Sequence, residues 1–176
     1  MRPGLHDHRY NRRMSTVLIT GASGGIGYEL AKLFARDHHH LVLVARSGDK
    51  LSQVATELRS QNVAVKTVAL DLATSLAPKF LFDQLQAEGI AVDILINNAG
   101  FGAFGEFAQM SNEEIFGQIQ LNITALTELT RLFLPPMLAR RSGRIMGRRC
   151  QFGPRRPRND VHIINGGLRV KPCGIS

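Results

Sequence analysis

Cysteine is nearly missing: only Cys150 and Cys173 occur, both late and without a C-x-x-C spacing, so neither a disulfide framework nor a zinc site is indicated. No apolar run approaches the ~18 residues needed to span a bilayer, so no transmembrane helix is expected and a soluble, cytoplasmic chain is. Arg12-Arg13 ahead of Met14 mimics the start of a short secretion signal, but the apolar stretch that follows runs into a glycine turn and reads better as a buried first strand. Tyrosine is confined to Tyr10 and Tyr28, and Lys171 is the only lysine after Lys79.

The body of the chain also lacks a basic excess, although the whole carries +8 with a pI near 10.3. Residues 1–13 hold +3 and residues 140–176 hold +9, which leaves −4 for residues 14–139. A nucleic-acid-binding domain spreads lysine and arginine over its structured surface, whereas here the excess sits in two flanks. No nucleic-acid or membrane partner is therefore expected for the body. His38-His39-His40 and the His6-Asp7-His8 group suit solvated turns better than metal sites, because adjacent side chains point in different directions.

What is present is one alternating pattern, and 176 residues accommodate one α/β domain with a real core. Residues 1–13 show no apolar period and read as a disordered leader, with Met14 as the candidate start. Thr16–Thr20 reads as a strand, followed by a helix with Ile26, Leu30, Leu33 and Phe34 on its apolar side. Leu41–Ala45, Val63–Leu70 and Val92–Ile96 are further strands. Helices fit about 49–61, with Leu51, Val54, Ala55 and Leu58, and about 75–88, with Leu76, Phe80, Leu81 and Leu85. Continuous apolar strands separated by helices imply a parallel sheet covered on both faces.

A long helix starts at Ser111, an N-cap whose capping box is completed by Glu114. Its apolar positions, from Ile115 and Phe116 to Leu132 and Phe133, go most of the way round, so it packs on the sheet and against something more. Ser142-Gly143 ends it, and Arg144–Met146 begins a fifth strand.

The first strand ends in Thr20-Gly21-Ala22-Ser23-Gly24-Gly25-Ile26-Gly27, directly before a helix. Glycines let a backbone approach a pyrophosphate, and the helix N-terminus offers N–H groups and a positive dipole end. The second strand runs into Ala45-Arg46-Ser47. A permanently charged, planar guanidinium there suits a ribose 2′-phosphate, which favours NADP(H) over NAD(H), although Asp49 stands close. Asp71-Leu72 follows the third strand, where an aspartate on its own serves most often as a helix cap. Asn97-Asn98-Ala99-Gly100 follows the fourth.

The spacing Thr-Gly-x-x-x-Gly-x-Gly, with Asn-Asn-Ala-Gly after the fourth strand, resembles the short-chain dehydrogenase/reductase family. That resemblance implies a Rossmann-type, doubly wound parallel sheet, incomplete at about five strands. Residues 14–146 would be a partial NADP(H)-binding domain, and residues 147–176 an irregular tail. It implies that Gly21, Gly25 and Gly27 shape the turn, Ser23 sits near the phosphates, and Ile26 lies near the nicotinamide. Asp71 would accept from the adenine amino group, and Asn98 would tie strand ends together near the cofactor ribose, with Gly100 beside it. Phe101–Gly105 would begin the substrate side. Asn122 falls where the family holds a water in its proton relay; a lone Asn on an apolar helix needs a partner in any case, since leaving it unpaired costs about 1–3 kcal/mol. The implied activity is interconversion of a small carbonyl and its alcohol, and complete members commonly pair through the long helix.

The family's serine and Tyr-x-x-x-Lys are missing. Counted on from Met146 they fall at Cys150, Ile163 and Gly167. Loss of one positioned acid/base costs about 10²–10⁴-fold in rate, so impaired catalysis is expected. Residues 147–176 hold six Arg, five Gly and three Pro with no period, as out-of-frame translation of GC-rich DNA produces. A truncation or frameshift near codon 147 is the expectation, with marginal stability and an exposed fifth strand as its consequences. Two alternatives stand beside an impaired oxidoreductase: a non-catalytic NADP(H)-binding module, and an anionic-surface or RNA binder acting through the Arg-rich tail. Phe152 is the only aromatic in that tail, which leaves no stacking platform.

Overall fold

The computed structural model describes residues 14–102, 105–147 and 168–169. The strands are β1 (Thr16–Thr20), β2 (His40–Ala45), β3 (Val65–Ala69), β4 (Ile94–Asn97) and β5 (Arg144–Gly147), all parallel in the order β3-β2-β1-β4-β5. Consecutive residues of β1 face opposite ways, Val17 and Ile19 into one core layer and Leu18 into the other. All three are fully buried, as a parallel strand covered on both faces requires.

Helices α1 (Gly25–Arg36) and α2 (Gly48–Arg59) cover the first face, where Leu51, Val54, Ala55 and Leu58 of α2 are buried as the spacing implies. Helix α1 departs in part from its sequence reading. It buries Gly27, Ala31 and Ala35, while Ile26 and Leu33 are about half exposed. Small side chains at steps of four let the helix lie close on the sheet; of the large apolar residues, Leu30 and Phe34 pack against the core as expected, while Ile26 and Leu33 flank the contact. In α3 (Ala77–Ala87), Leu81 and Leu85 are buried, whereas Leu76 and Phe80 stand out in solvent.

The long helix is interrupted. Helix α4 (Asn112–Ile119) opens with the expected Ser111/Glu114 capping box, a π turn spans Gln120–Ala125, and α5 (Leu126–Ala139) follows with Pro135 and Pro136 inside it. On the second face α3 and α5 bury Leu81, Leu85, Leu129, Phe133 and Met137 against Leu18, Val42 and Leu95. The outer side of α5 carries an open groove of about 470 Å³ lined by Leu126, Thr127, Thr130, Arg131, Leu134 and Leu138. The expectation of an uncovered fifth strand needs amendment: a two-residue strand, β6 (Leu168–Arg169), pairs antiparallel with Ile145 and Arg144. Apart from Gly147 and those two residues, the tail of the sequence reading lies outside the described residues, as do the leader, Cys150, Ile163 and Gly167. Among the described residues no helix is long and apolar enough to cross a membrane.

Candidate functional site

Strand order reverses at β1, whose neighbours are β2 and β4, so a crevice opens beyond the carboxyl ends of these strands. Four loops meet there: Gly21–Gly24 after β1, Arg46-Ser47 after β2, Leu70–Leu72 after β3 and Asn98–Gly102 after β4.

Thr20 organises the centre. Its hydroxyl donates to the Ile96 carbonyl at 3.3 Å and accepts from the N–H groups of Asn98 and Ala99 at 3.0 and 2.9 Å. The Asn98 amide donates back to the carbonyls of Thr20 and Gly21, at 2.9 and 3.2 Å. Sequence reading singled out Asn98 and passed over Thr20, although a hydroxyl directly before a glycine turn was the available signal. The turn is fixed from a third side by the Val44 carbonyl, which accepts from Gly21 N–H at 2.8 Å.

Gly21 has φ +68°, and a β-carbon there would meet Ala99 Cα at 2.9 Å. A β-carbon on Gly27 would collide with the Gly21 carbonyl oxygen. Gly24 and Gly25 differ, because nothing stands within 4 Å of a β-carbon at either. These two face open space at the amino end of α1, which has no side-chain cap and no acid in its first turn. Its N–H groups and positive dipole end are thus presented outward. Ser23 is half-buried in the same turn, and Ile26 stands beside it at 49% exposure.

Arg46 is exposed and makes no hydrogen bond or ion pair among the described residues. Ser47 caps α2 through Lys50 N–H, and Asp49 lies in that helix's first turn. Asp71 holds its own turn: Oδ1 accepts from Ala73 N–H at 2.9 Å, and its carbonyl accepts from Thr74. The Asn122 amide grips the backbone of Phe101 at both ends, donating to its carbonyl at 2.7 Å and accepting from its N–H at 3.1 Å. Gly100 makes room for this, since a β-carbon there would stand 2.7 Å from Asn122 Oδ1. Phe101 is 40% exposed on the outer side of that loop; Ala103 and Phe104 lie outside the described residues.

Two groups fall elsewhere. His39 and His40 sit at the opposite, amino end of the strands, where their Nδ1 atoms accept from the N–H groups of Ser15 and Ala64; both rings thus cap strand entries and are not simply solvated. Tyr28, the one described tyrosine, links α1 to α2 by donating to both Glu57 oxygens, at 2.8 and 2.7 Å. That hydrogen bond, with lesser help from burial, raises its phenol above the ordinary value. An acid/base tyrosine needs the opposite shift.

Residues 15–148 match the family model described as short chain dehydrogenase. The chain is 37% identical over 131 residues to ketoacyl reductase HetN of Nostoc sp., covering 74% of this chain and 46% of that protein. It is 39% identical over 134 residues to oxidoreductase UcpA of Salmonella typhimurium, covering 74% and 49%. A solved short-chain dehydrogenase from Sphingobium yanoikuyae, in complex with NADPH, superposes with a TM-score of 0.72 at 41% identity, over 76% of this chain and 52% of that one. The chain spans about half the length of the curated relatives it matches.

Proposed function

The chain belongs to the short chain dehydrogenase family, and from that premise we propose that its crevice binds NADP(H) while the 176 residues as given turn over carbonyl substrates poorly or not at all. The observation that carries this reading is the pairing of an open glycine turn with an uncommitted cation. Gly24 and Gly25 leave the amino end of α1 bare, and Arg46, one loop away, has no protein partner among the described residues. A pyrophosphate suits the first and a 2′-phosphate the second. The relative from Sphingobium yanoikuyae was solved with NADPH.

Gly21, Gly25 and Gly27 would shape the phosphate turn, with Ser23 at its rim. Arg46 would hold the 2′-phosphate, Asp71 the adenine edge and Asn98 the ribose side, with Ile26 and Gly100 flanking the nicotinamide end. The cofactor supplies hydride to, or accepts it from, a carbon bearing oxygen. What these residues do is bind and orient, and Asn122 keeps the Phe101 loop in place at the substrate edge. Neither Ser followed by Tyr-x-x-x-Lys nor any equivalent tyrosine occurs after Met146. Small carbonyls or alcohols are the proposed substrate class of the complete enzyme, pairing of copies a property proposed for complete members, and the cytoplasm the proposed location.

Titration of NADPH fluorescence, run beside a carbonyl-reduction assay on the same preparation, tests both halves. Saturable binding without turnover is expected. Absence of binding defeats the cofactor assignment, and robust turnover defeats the claim of impairment.

A further inference from the structure

Two buried asparagines stand at the end of β4, Asn97 as its last residue at 3% exposure and Asn98 directly after it at 5%. Adjacent strand residues point to opposite sides, and these two reach opposite structures. Asn98 holds β1 and the glycine turn, as above. Asn97 turns to α5, where its Nδ2 donates to Thr130 Oγ1 at 3.2 Å, and that hydroxyl donates in turn to the Leu126 carbonyl at 2.8 Å. We propose that Thr130, acting through Asn97, is a positioning residue for the dinucleotide turn.

A threonine hydroxyl has one proton, and this one is committed to Leu126. Thr130 can then only accept from Asn97, which fixes the amide with its nitrogen toward the helix. Asn97 Oδ1 is buried with no partner among the described residues, so Thr130 is the sole anchor of that amide. On its crevice side Asn97 is packed among Thr20, Leu72, Ala99, Leu121, Leu126 and Leu129, while Thr130 borders the groove on the outer side of α5. Removal of the hydroxyl therefore takes from the buried Asn97 amide its one protein partner among the described residues, and the strand end shifts to relieve the loss.

The shift cannot stay local. Asn97 and Asn98 share a peptide bond, and Asn98 Nδ2 is bonded to the carbonyl of Gly21, the first residue of the turn. The turn has no slack at that point, because the same Nδ2 lies 2.5 Å from where a β-carbon on Gly27 would be. The π turn and α5, which follow one another, thus hold both sides of the chain leaving β4, with Thr130 of α5 gripping Asn97 and Asn122 of the π turn gripping Phe101.

The binding readout of the test rests on the NADP(H) reading, whereas amide exchange does not. In the full chain, Thr130→Val is expected to weaken NADPH binding about fivefold and to speed amide exchange of Gly21, Ala22, Asn98 and Ala99 by tenfold or more. Thr130→Ser, which keeps the hydroxyl, should return both to within twofold of the parent; a purely packing role would not be rescued in this way. In a cycle with Asn97→Leu, the two substitutions should be strongly non-additive. Unchanged exchange at Gly21 and Asn98 in T130V overturns the proposal whatever happens to binding, and so does a loss that T130S fails to restore. If the parent itself does not bind NADPH, the cofactor reading fails and exchange alone decides the role of Thr130. Should T130V not fold, T130A against T130S makes the same comparison.

Discussion

Gly27 lies against Asn98 so closely that a β-carbon on the glycine would stand 2.5 Å from Asn98 Nδ2. The same α-carbon faces the Gly21 carbonyl oxygen, whose partner is that very nitrogen. Gly27→Ala must therefore push apart a helix and a strand end, and overpacking of this kind costs about 1–3 kcal/mol. Gly24 is a glycine of another sort: its backbone is extended, with φ 174°, and its side-chain direction is open. Gly24→Ser should change stability by less than about 0.5 kcal/mol, since serine is a good N-cap, yet it should weaken NADPH binding by filling the space in front of the turn. Urea unfolding beside NADPH titration separates the two; equal effects of both variants on stability would contradict this division of the motif.

Arg46 has no structural employment among the described residues, so its loss should leave the fold alone. A charge-assisted hydrogen bond contributes about 1.5–3 kcal/mol, which converts to at least tenfold in affinity. Arg46→Ala is expected to weaken NADPH by about that factor and NADH by less than about twofold. Parallel fluorescence titrations with the two cofactors measure it. A variant that loses both equally would show that Arg46 does not meet the 2′-phosphate.

Tyr28 donates to Glu57, and its phenol is raised above its ordinary value chiefly by that hydrogen bond. A raised folded-state value means that the stabilisation is present below the unfolded value, about pH 10, and is lost as pH rises through the folded one. Tyr28→Phe should thus lower the thermal midpoint at neutral pH, and the gap should close in strongly alkaline solution. Any trace of carbonyl reduction should be identical in Y28F; a drop in turnover at unchanged stability would give Tyr28 a chemical role that its position denies.

Legibility in the sequence followed the range of the interaction. The Ser111/Glu114 capping box spans four residues and was readable as written. The strands were readable because burial on both faces leaves an apolar run, and α2 because its large residues make its contact. Helix α1 was legible only in part: Leu30 and Phe34 pack on the core, but the fully buried positions are Gly27, Ala31 and Ala35, which carry little hydrophobic signal, while Ile26 and Leu33 carry much and flank the contact. The π turn at Gln120–Ala125 changes hydrogen-bond phase without changing composition, and no residue pattern announced it. Of the candidate site, the glycines, Arg46 and Asn98 could be placed by motif. Thr20 stands in the motif directly before the glycine turn, but the contacts its hydroxyl makes and the pairing of Asn97 with Thr130 could not be read, because each joins residues 33 or more positions apart.

Asn122 and Phe101 offer the sharpest single test of the loop beside the crevice. The amide donates to the Phe101 carbonyl and accepts from its N–H, so it must supply one donor and one acceptor. Asn122→Asp keeps the size and the acceptor but sets a carboxylate oxygen against a carbonyl oxygen. Ionisation of that carboxyl is then disfavoured in the fold, which raises its folded value above the unfolded one near pH 4. The variant's deficit, about 1–2 kcal/mol for the lost and opposed hydrogen bond, should be full at neutral pH and shrink as pH falls. A protonated Asp donates to Phe101 as the amide did. Asn122→Leu cannot donate at any pH, so its deficit should stay constant over the same range. Urea unfolding of the parent, N122D and N122L at about pH 7 and pH 4 resolves the three. If N122D and N122L respond to pH alike, the Phe101 carbonyl is not the partner that fixes Asn122.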